Sequence, residues 1–307
     1  MEKFDLAIAY TWEYDEDFVA LIREMTHQFQ ITSCLFNEEN VRDITDRLRR
    51  RALTIGCYLD RASDVSEEFE EIAHILTRRN TRIFNPYKLI AHAIDKATMH
   101  LEFITAGLHT PYSIIIPPFS EEEEIYISLD DLAILDRPFI IKPANTTGGG
   151  IGVVTGAETL KEVLEERMTN HEDKYLLQEK VYPHDLDGKR AWFRSFWAFG
   201  KAIPCWWNDQ THYYTELTAD EISRYNLQEL FRITRKIAKL TGLDFFSTEI
   251  VYSTKNKFIV VDYVNDQCDM RLQSRHYDGV PDNVVKQIIF NMIKTIKKVK
   301  ATVHRTL

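Results

Sequence analysis

The sequence predicts an α/β (α+β) protein that opens with a parallel α/β unit. Three observations carry this reading. Apolar runs alternate with amphipathic segments from Phe4 to Leu76. Two apolar runs, ending at Pro143 and starting at Ile151, flank a glycine-dense polar turn. Two more, within Leu243–Asp266, flank a second polar turn and carry acidic residues. Strands alternating with helices imply a parallel sheet, whereas paired runs across a short turn imply hairpins.

Phe4–Tyr10 reads as a buried strand. Phe18, Leu21, Ile22 and Met25 lie at helical spacing within Asp15–Phe29. A strand at Ile31–Phe36, a basic helix at about Asn40–Arg51 and a strand at Leu53–Leu59 follow. A helix with Phe69, Ile72, Ala73 and Leu76 on one face completes the alternation. Ligands of such sheets meet the loops beyond the carboxyl ends of the strands. The loops Thr11–Asp15 and Asp60–Asp64 are therefore placed for substrate, with Trp12, Tyr14 and Arg61 able to stack or pair there. Two helical segments then flank Asp95-Lys96; Gly107 stops the second and Pro111 starts a strand.

The stretch Phe139–Val154 is the most specific. The chain has 11 glycines, and five lie between Gly148 and Gly156. Glycines this dense let a backbone approach a ligand closely and turn several N–H groups into one concavity, which suits phosphate. A Walker loop needs Lys-Ser or Lys-Thr and a helix after its last glycine, and a Rossmann turn also needs the helix. Ile151 and Val153 follow here and continue as a strand. What remains is a hairpin flap over a nucleotide, with Lys142 at its base. No HRD or DFG triplet of a protein kinase follows.

Downstream, Ala157–Met168 is amphipathic, with Leu160, Val163 and Leu164 inward. Tyr175–Val181 is a strand that carries Gln178 and Glu179 at its end. Lys189–Gly200 alternates so that Arg190, Trp192, Arg194 and Phe196 share a face. Trp206, Trp207, His212, Tyr213 and Tyr214 line a pocket or cap a core. Leu227–Leu240 is a helix stopped by Gly242. A two-residue turn at Lys255-Asn256 sets Glu249 opposite Asp262, and facing carboxylates repel unless a cation lies between them or one is protonated. Oxygen ligands from Glu, Asp and Asn suit Mg²⁺. Asp262 and Asn265 fall on opposite faces of a regular strand, so their joint use requires a bulge or a strand end. Beyond them, Asp266, Asp269, Arg271, Arg275 and His276 form a polar stretch. The last helix, Pro281 to about Lys300, buries Val284, Val285, Ile288, Ile289, Met292, Ile293 and Ile296.

From about Asn85 to the C-terminus the chain resembles the ATP-grasp superfamily, in its glutathione-synthetase-like and D-alanine–D-alanine-ligase-like branches. The resemblance rests on Lys142 with the loop Thr146–Gly152, on Asp95-Lys96, and on the strand pair bearing Glu249 and Asp262-Tyr263-Val264-Asn265. It implies a pre-ATP-grasp domain (1–110), a lid subdomain with the flap (111–188) and a subdomain with the metal site (189–307). Lys96 and Lys142 would bind nucleotide phosphates, together with Thr146, Thr147, Gly148, Gly149, Gly150 and Gly152. Gln178, Glu179, Lys180 and Val181 would meet adenine, and Asp185 or Asp187 the ribose. Glu249, Asp262 and Asn265 would hold Mg²⁺, with Mn²⁺ as the alternative ion. Arg194 would contact the transferring phosphate and Arg271 would steady the acceptor. The family's second strand carries Glu-x-Asn. Here it reads one residue longer, with Asp in place of Glu, so Asn265 is the weakest member of the set.

Composition bounds the partners. The net charge is −9, which argues against broad phosphate neutralisation and hence against nucleic acid. Cys34, Cys57, Cys205 and Cys268 match no zinc spacing and read as free thiols in a reducing cytoplasm. No run of eighteen apolar residues marks a membrane span. The expected activity is an ATP-dependent carboxylate–amine or carboxylate–thiol ligase working through an acyl phosphate on a small molecule or peptide. A small-molecule kinase and an ATP-binding regulatory protein without chemistry are the alternatives, and a homodimer is compatible with all three.

Overall fold

The computed structural model describes residues 1–145, 150 and 152–303. It begins with β1 (Glu2–Tyr10), α1 (Glu16–Gln28), β2 (Ser33–Phe36), α2 (Val41–Arg49), β3 (Leu53–Arg61), α3 (Glu67–Arg78) and β4 (Arg82–Phe84). The four strands form one parallel sheet in the order β2-β1-β3-β4. Leu6 to Ala9 are all buried because the sheet is covered on both faces. Alternation divides them between two cores. Ala7 and Ala9 share a core with residues of α2 and α3, whereas Leu6 and Ile8 share one with residues of α1 and the last helix.

Two short helices follow, α4 (Tyr87–Ala93) and α5 (Lys96–Thr105). The next sheet has the antiparallel order β5-β8-β6-β7, from β5 (Ser113–Ile116), then, after α6 (Leu129–Leu135), β6 (Phe139–Pro143) and β7 (Val154–Ala157), then, after α7 (Leu160–Thr169), β8 (Tyr175–Gln178). Here α7 differs from expectation. Val163 is buried, but Leu160 and Leu164 are exposed and Arg167 is fully buried. Its guanidinium finds the carbonyls of Pro117, Glu122 and Glu123 and lies over the Phe119 ring. Carbonyl acceptors from a neighbouring loop can satisfy a buried arginine, and a helical hydrophobicity pattern does not register them.

A small hairpin, β9 (Asp185–Leu186) and β10 (Lys189–Arg190), precedes the largest sheet. That sheet has the order β13-β12-β11-β14-β15, all antiparallel. Its strands are β11 (Trp192–Ala198), β12 (Lys201–Trp207), β13 (Tyr214–Glu216), β14 (Phe245–Tyr252) and β15 (Phe258–Asn265), with α8 (Ala219–Arg224) and α9 (Gln228–Thr241) between β13 and β14. Helix α9 ends as expected at Gly242, which has φ 69°. The final helix, α10 (Asp282–Val303), buries all seven apolar residues named above. It packs on α1, β1, β3 and β11, so one core joins the first sheet to the third. The four cysteines are unpaired. Among the described residues, no helix is long and apolar enough to cross a membrane.

Candidate nucleotide and metal site

Glu249 and Asp262 stand opposite each other in the register of β14 and β15. The turn that brings them there is not the expected two-residue one. Ser253 O accepts from Asn256 N, Ser253 N donates to Lys257 O, and Asn256 has φ 57°. This is a three-residue loop with a left-handed last residue. It pairs Tyr252 with Phe258 and Ile250 with Val260. One bulge then shifts the register to set Glu249 against Asp262, and a second sets Ser247 against Asn265. The second bulge also meets the sequence's requirement for bringing Asn265 to Asp262: Asn265 Nδ2 donates to Asp262 Oδ2 at 2.8 Å. The amide oxygen is then the remaining acceptor of that side chain.

Cations from other strands converge on the pair. Lys142, on β6, places Nζ 3.2 Å from Asp262 Oδ1 and 3.3 Å from Val261 O. Arg194, directly opposite Glu249 on β11, has Nη1 3.7 Å from Glu249 Oε1 and donates Nε to Ser247 Oγ at 3.3 Å. Its guanidinium also lies over the Trp207 ring. Trp192 donates Nε1 to Glu249 Oε2 at 3.0 Å. Lys96 is buried at the first position of α5. The two carboxyls respond differently. Burial pushes Glu249 up, and nearby Asp262 adds to this against the pull of Arg194. Burial also works against ionisation of Asp262, but Lys142, Lys96 and the Asn265 hydrogen bond outweigh it and hold the carboxyl well below its usual range. Burial lowers Lys96, and Asp262 opposes that shift.

Solved structures share this architecture. A D-alanine–D-alanine ligase from Bacillus anthracis, complexed with ATP, superposes with a TM-score of 0.61 at 13% identity, covering 97% of this chain and 99% of that one. The ATP-grasp ligase PsnB, complexed with a minimal precursor, Mg and ADP, gives 0.61 at 13%, covering 94% and 98%. A RimK-domain ATP-grasp protein from Sphaerobacter thermophilus gives 0.62 at 14%, covering 94% and 99%. The chain has the ATP-grasp fold. No family model matches the chain, and no curated protein matches it in sequence.

Within the ATP-grasp fold, the remaining candidates are scattered. Gln178 is buried and donates Nε2 to Tyr263 Oη and to Ser113 Oγ, both at 3.0 Å, so its side chain joins two sheets. Glu179 accepts from Tyr112 N and from Lys255 Nζ, each at 3.0 Å. Lys180 is exposed and Val181 half-buried where β8 leads toward the β9–β10 hairpin. Asp185 caps that hairpin by accepting from Gly188 N at 2.7 Å, whereas Asp187 accepts from Tyr225 Oη and Arg224, also at 2.7 Å. Arg271 is held by Asp269 and Asp278. Gly150 and Gly152 both have positive φ, at 80° and 74°. Thr146, Thr147, Gly148 and Gly149 lie outside the described residues. The aromatic cluster is mainly core: Trp206, Trp207 and Tyr214 are buried, and Tyr213 is exposed.

Sequence reasoning set Trp192 on the face of Arg194 without a role there, and it missed Ser247 and His100. Trp192 and Ser247 share a face with Arg194 and Glu249 by simple alternation, which was the available signal. His100, one turn beyond Lys96, approaches Tyr263 Oη at 2.6 Å, and nothing local in the sequence marks that contact.

Proposed function

We propose that the chain is an ATP-dependent ligase that joins a substrate carboxylate to an amine or thiol through an acyl phosphate, with Mg²⁺ as cofactor. The observation that carries this is the convergence of Lys142, Arg194 and buried Lys96 on the opposed carboxylates Glu249 and Asp262. The complexes of PsnB with precursor, Mg and ADP and of D-alanine–D-alanine ligase with ATP support the choice of nucleotide and ion.

The donor set fits a hard cation. Two opposed carboxylates and one amide supply only oxygen, and among the described residues no cluster of three His, Cys, Asp or Glu offers a competing site. Glu249, Asp262 and Asn265 would hold Mg²⁺, which when bound neutralises charge on phosphate oxygens. Lys142 and Lys96 bind and orient the phosphates of ATP. In doing so Lys142 exchanges its contact with Asp262 for one with phosphate. Arg194, stacked on Trp207 and tied to Ser247, is pre-set to meet the transferring group, since positioning and charge carry phosphoryl transfer. The carboxylate attacks the γ-phosphorus, ADP leaves, and the amine or thiol then displaces phosphate from the acyl carbon.

Trapping tests the reading. A panel of small and peptide carboxylates is incubated with Mg·ATP and hydroxylamine. The expected product is a hydroxamate formed in step with ADP. ADP release with a stable phosphate ester and no hydroxamate would make the chain a kinase instead.

A further inference from the structure

The carboxyl edge of the first sheet opens onto a cavity of about 450 Å³. Trp12 beyond β1, Glu38 beyond β2, Arg61 and Asp64 at and beyond β3, and Gln267 beyond β15 contribute to its wall. By its position, Arg61 could pair with an anionic ligand here. The structure uses that charge internally. Arg61 donates Nε and Nη2 to Asp15 at 2.7 Å each, and Nη2 also to Cys268 O at 3.0 Å. The side chains of Arg61 and Asp15 are 3% and 2% exposed, so the closed pair presents no net charge to the cavity.

Arg61 is the one Lys or Arg among the described lining residues. Beside the neutral Thr11, Ser66 and Gln267, the charge the wall offers a ligand is therefore the carboxylates of Glu38 and Asp64, with the indole of Trp12, which is 43% exposed. Arg271, over the Tyr14 ring next to Trp12, is likewise held by Asp269 and Asp278. Such a wall repels a carboxylate or phosphate. It suits an ammonium or guanidinium, which gains charge-assisted hydrogen bonds and an aromatic face. The cavity also adjoins the chemistry. Cys268, whose carbonyl takes Arg61, points Sγ at Asn265 O at 3.3 Å. An amine that attacks an acyl phosphate must give up a proton, whereas this wall favours the protonated form. A group held here is therefore an anchor and not the nucleophile.

We propose that this cavity binds a second group of the acceptor substrate, cationic at neutral pH, such as the far ammonium or guanidinium of a diamine or of a basic residue. The word acceptor rests on the ligase reading; the cation site does not. Calorimetric titration at fixed ionic strength with 1,4-diaminobutane, agmatine and lysine, against norleucine and glutamate, tests it. At least one dibasic probe should bind, with norleucine and glutamate at least about tenfold weaker. Asp64→Asn should weaken that probe about tenfold, and Trp12→Leu should also weaken it. Glu121→Gln, on an exposed loop elsewhere, should leave it unchanged. The proposal is overturned if no dibasic probe binds, if norleucine or glutamate binds as well, or if Glu121→Gln has the effect of Asp64→Asn. Titration with Mg·AMPPNP judges the parent reading separately. Wild-type protein that binds the dibasic probe but no nucleotide would remove the ligase and keep the cation site.

Discussion

Glu249 and Asp262 face each other, yet their surroundings shift the two carboxyls in opposite directions, Glu249 up through burial and Asp262 down through its lysines. Asp262 is the partner of Lys142 and lies in the field of Lys96, so Asp262→Asn leaves two cations without their carboxylate. The substitution should cost about 2 kcal/mol of stability, allowing for partial exposure of the pair. Glu249→Gln keeps an acceptor for Trp192 and removes a charge that burial already disfavours, so it should lower the melting temperature far less. Both should cut Mg-dependent turnover by orders of magnitude. Paired thermal melts and rate measurements check the contrast; equal melting losses would count against it. The sequence made the opposition of these carboxylates legible through the polar turn between their two apolar strands. It did not disclose their opposite shifts, because those depend on a lysine from β6 and an arginine from β11, remote in sequence.

Turn chemistry shows how an element can be right in outcome and different in detail. A two-residue turn at Lys255-Asn256 and the observed three-residue loop plus one bulge both set Glu249 against Asp262. Bulges leave no local mark in an apolar run, so only the structure separates the two routes. Other element-level signals were plain. Asp95 accepts from Thr98 N at 2.9 Å and caps α5 in front of Lys96, and it also takes Lys174 Nζ. Although burial works against the charged form, Lys174 and the helix amide hold Asp95 below its ordinary value of 3.8. The folded state therefore binds fewer protons than the unfolded one. This stabilisation is present above pH 3.8 and is lost as pH falls through the folded value. Asp95→Ala should cost about 1 kcal/mol at neutral pH. Its melting-temperature deficit should narrow below pH 3.8, and a pH-independent deficit would show that the carboxylate's charge is irrelevant. Between β6 and β7, Gly152 has φ 74°, and an added Cβ would come within 3.2 Å of Pro143 Cγ. Gly152→Ala should therefore weaken Mg·ATP about tenfold while moving the melting temperature by only a few degrees. Calorimetry and melts on the same sample decide.

At the scale of the molecule, the parallel sheet and the two hairpins were readable because each is a local pattern. Their assembly was not. The apolar stripe of α10 says that the helix is buried, but not that it lies against both β1 and β11. That placement carries one core across the line between residues 1–110 and 189–307. Ile289→Ala, at a fully buried position, should cost about 3 kcal/mol. It should speed hydrogen exchange in β1 and β11 together, with β6 and β8 less affected; loosening of β11 alone would divide that core. Lys142, Lys96 and Arg194 converge on Glu249 and Asp262 at one site. Its most direct test is calorimetric titration of AMPPNP with and without Mg²⁺ on wild type, Lys142→Ala and Asp262→Asn. Binding that needs Mg²⁺ in the wild type and is lost in both variants is the predicted result. Undiminished, Mg-independent binding in the variants would contradict it.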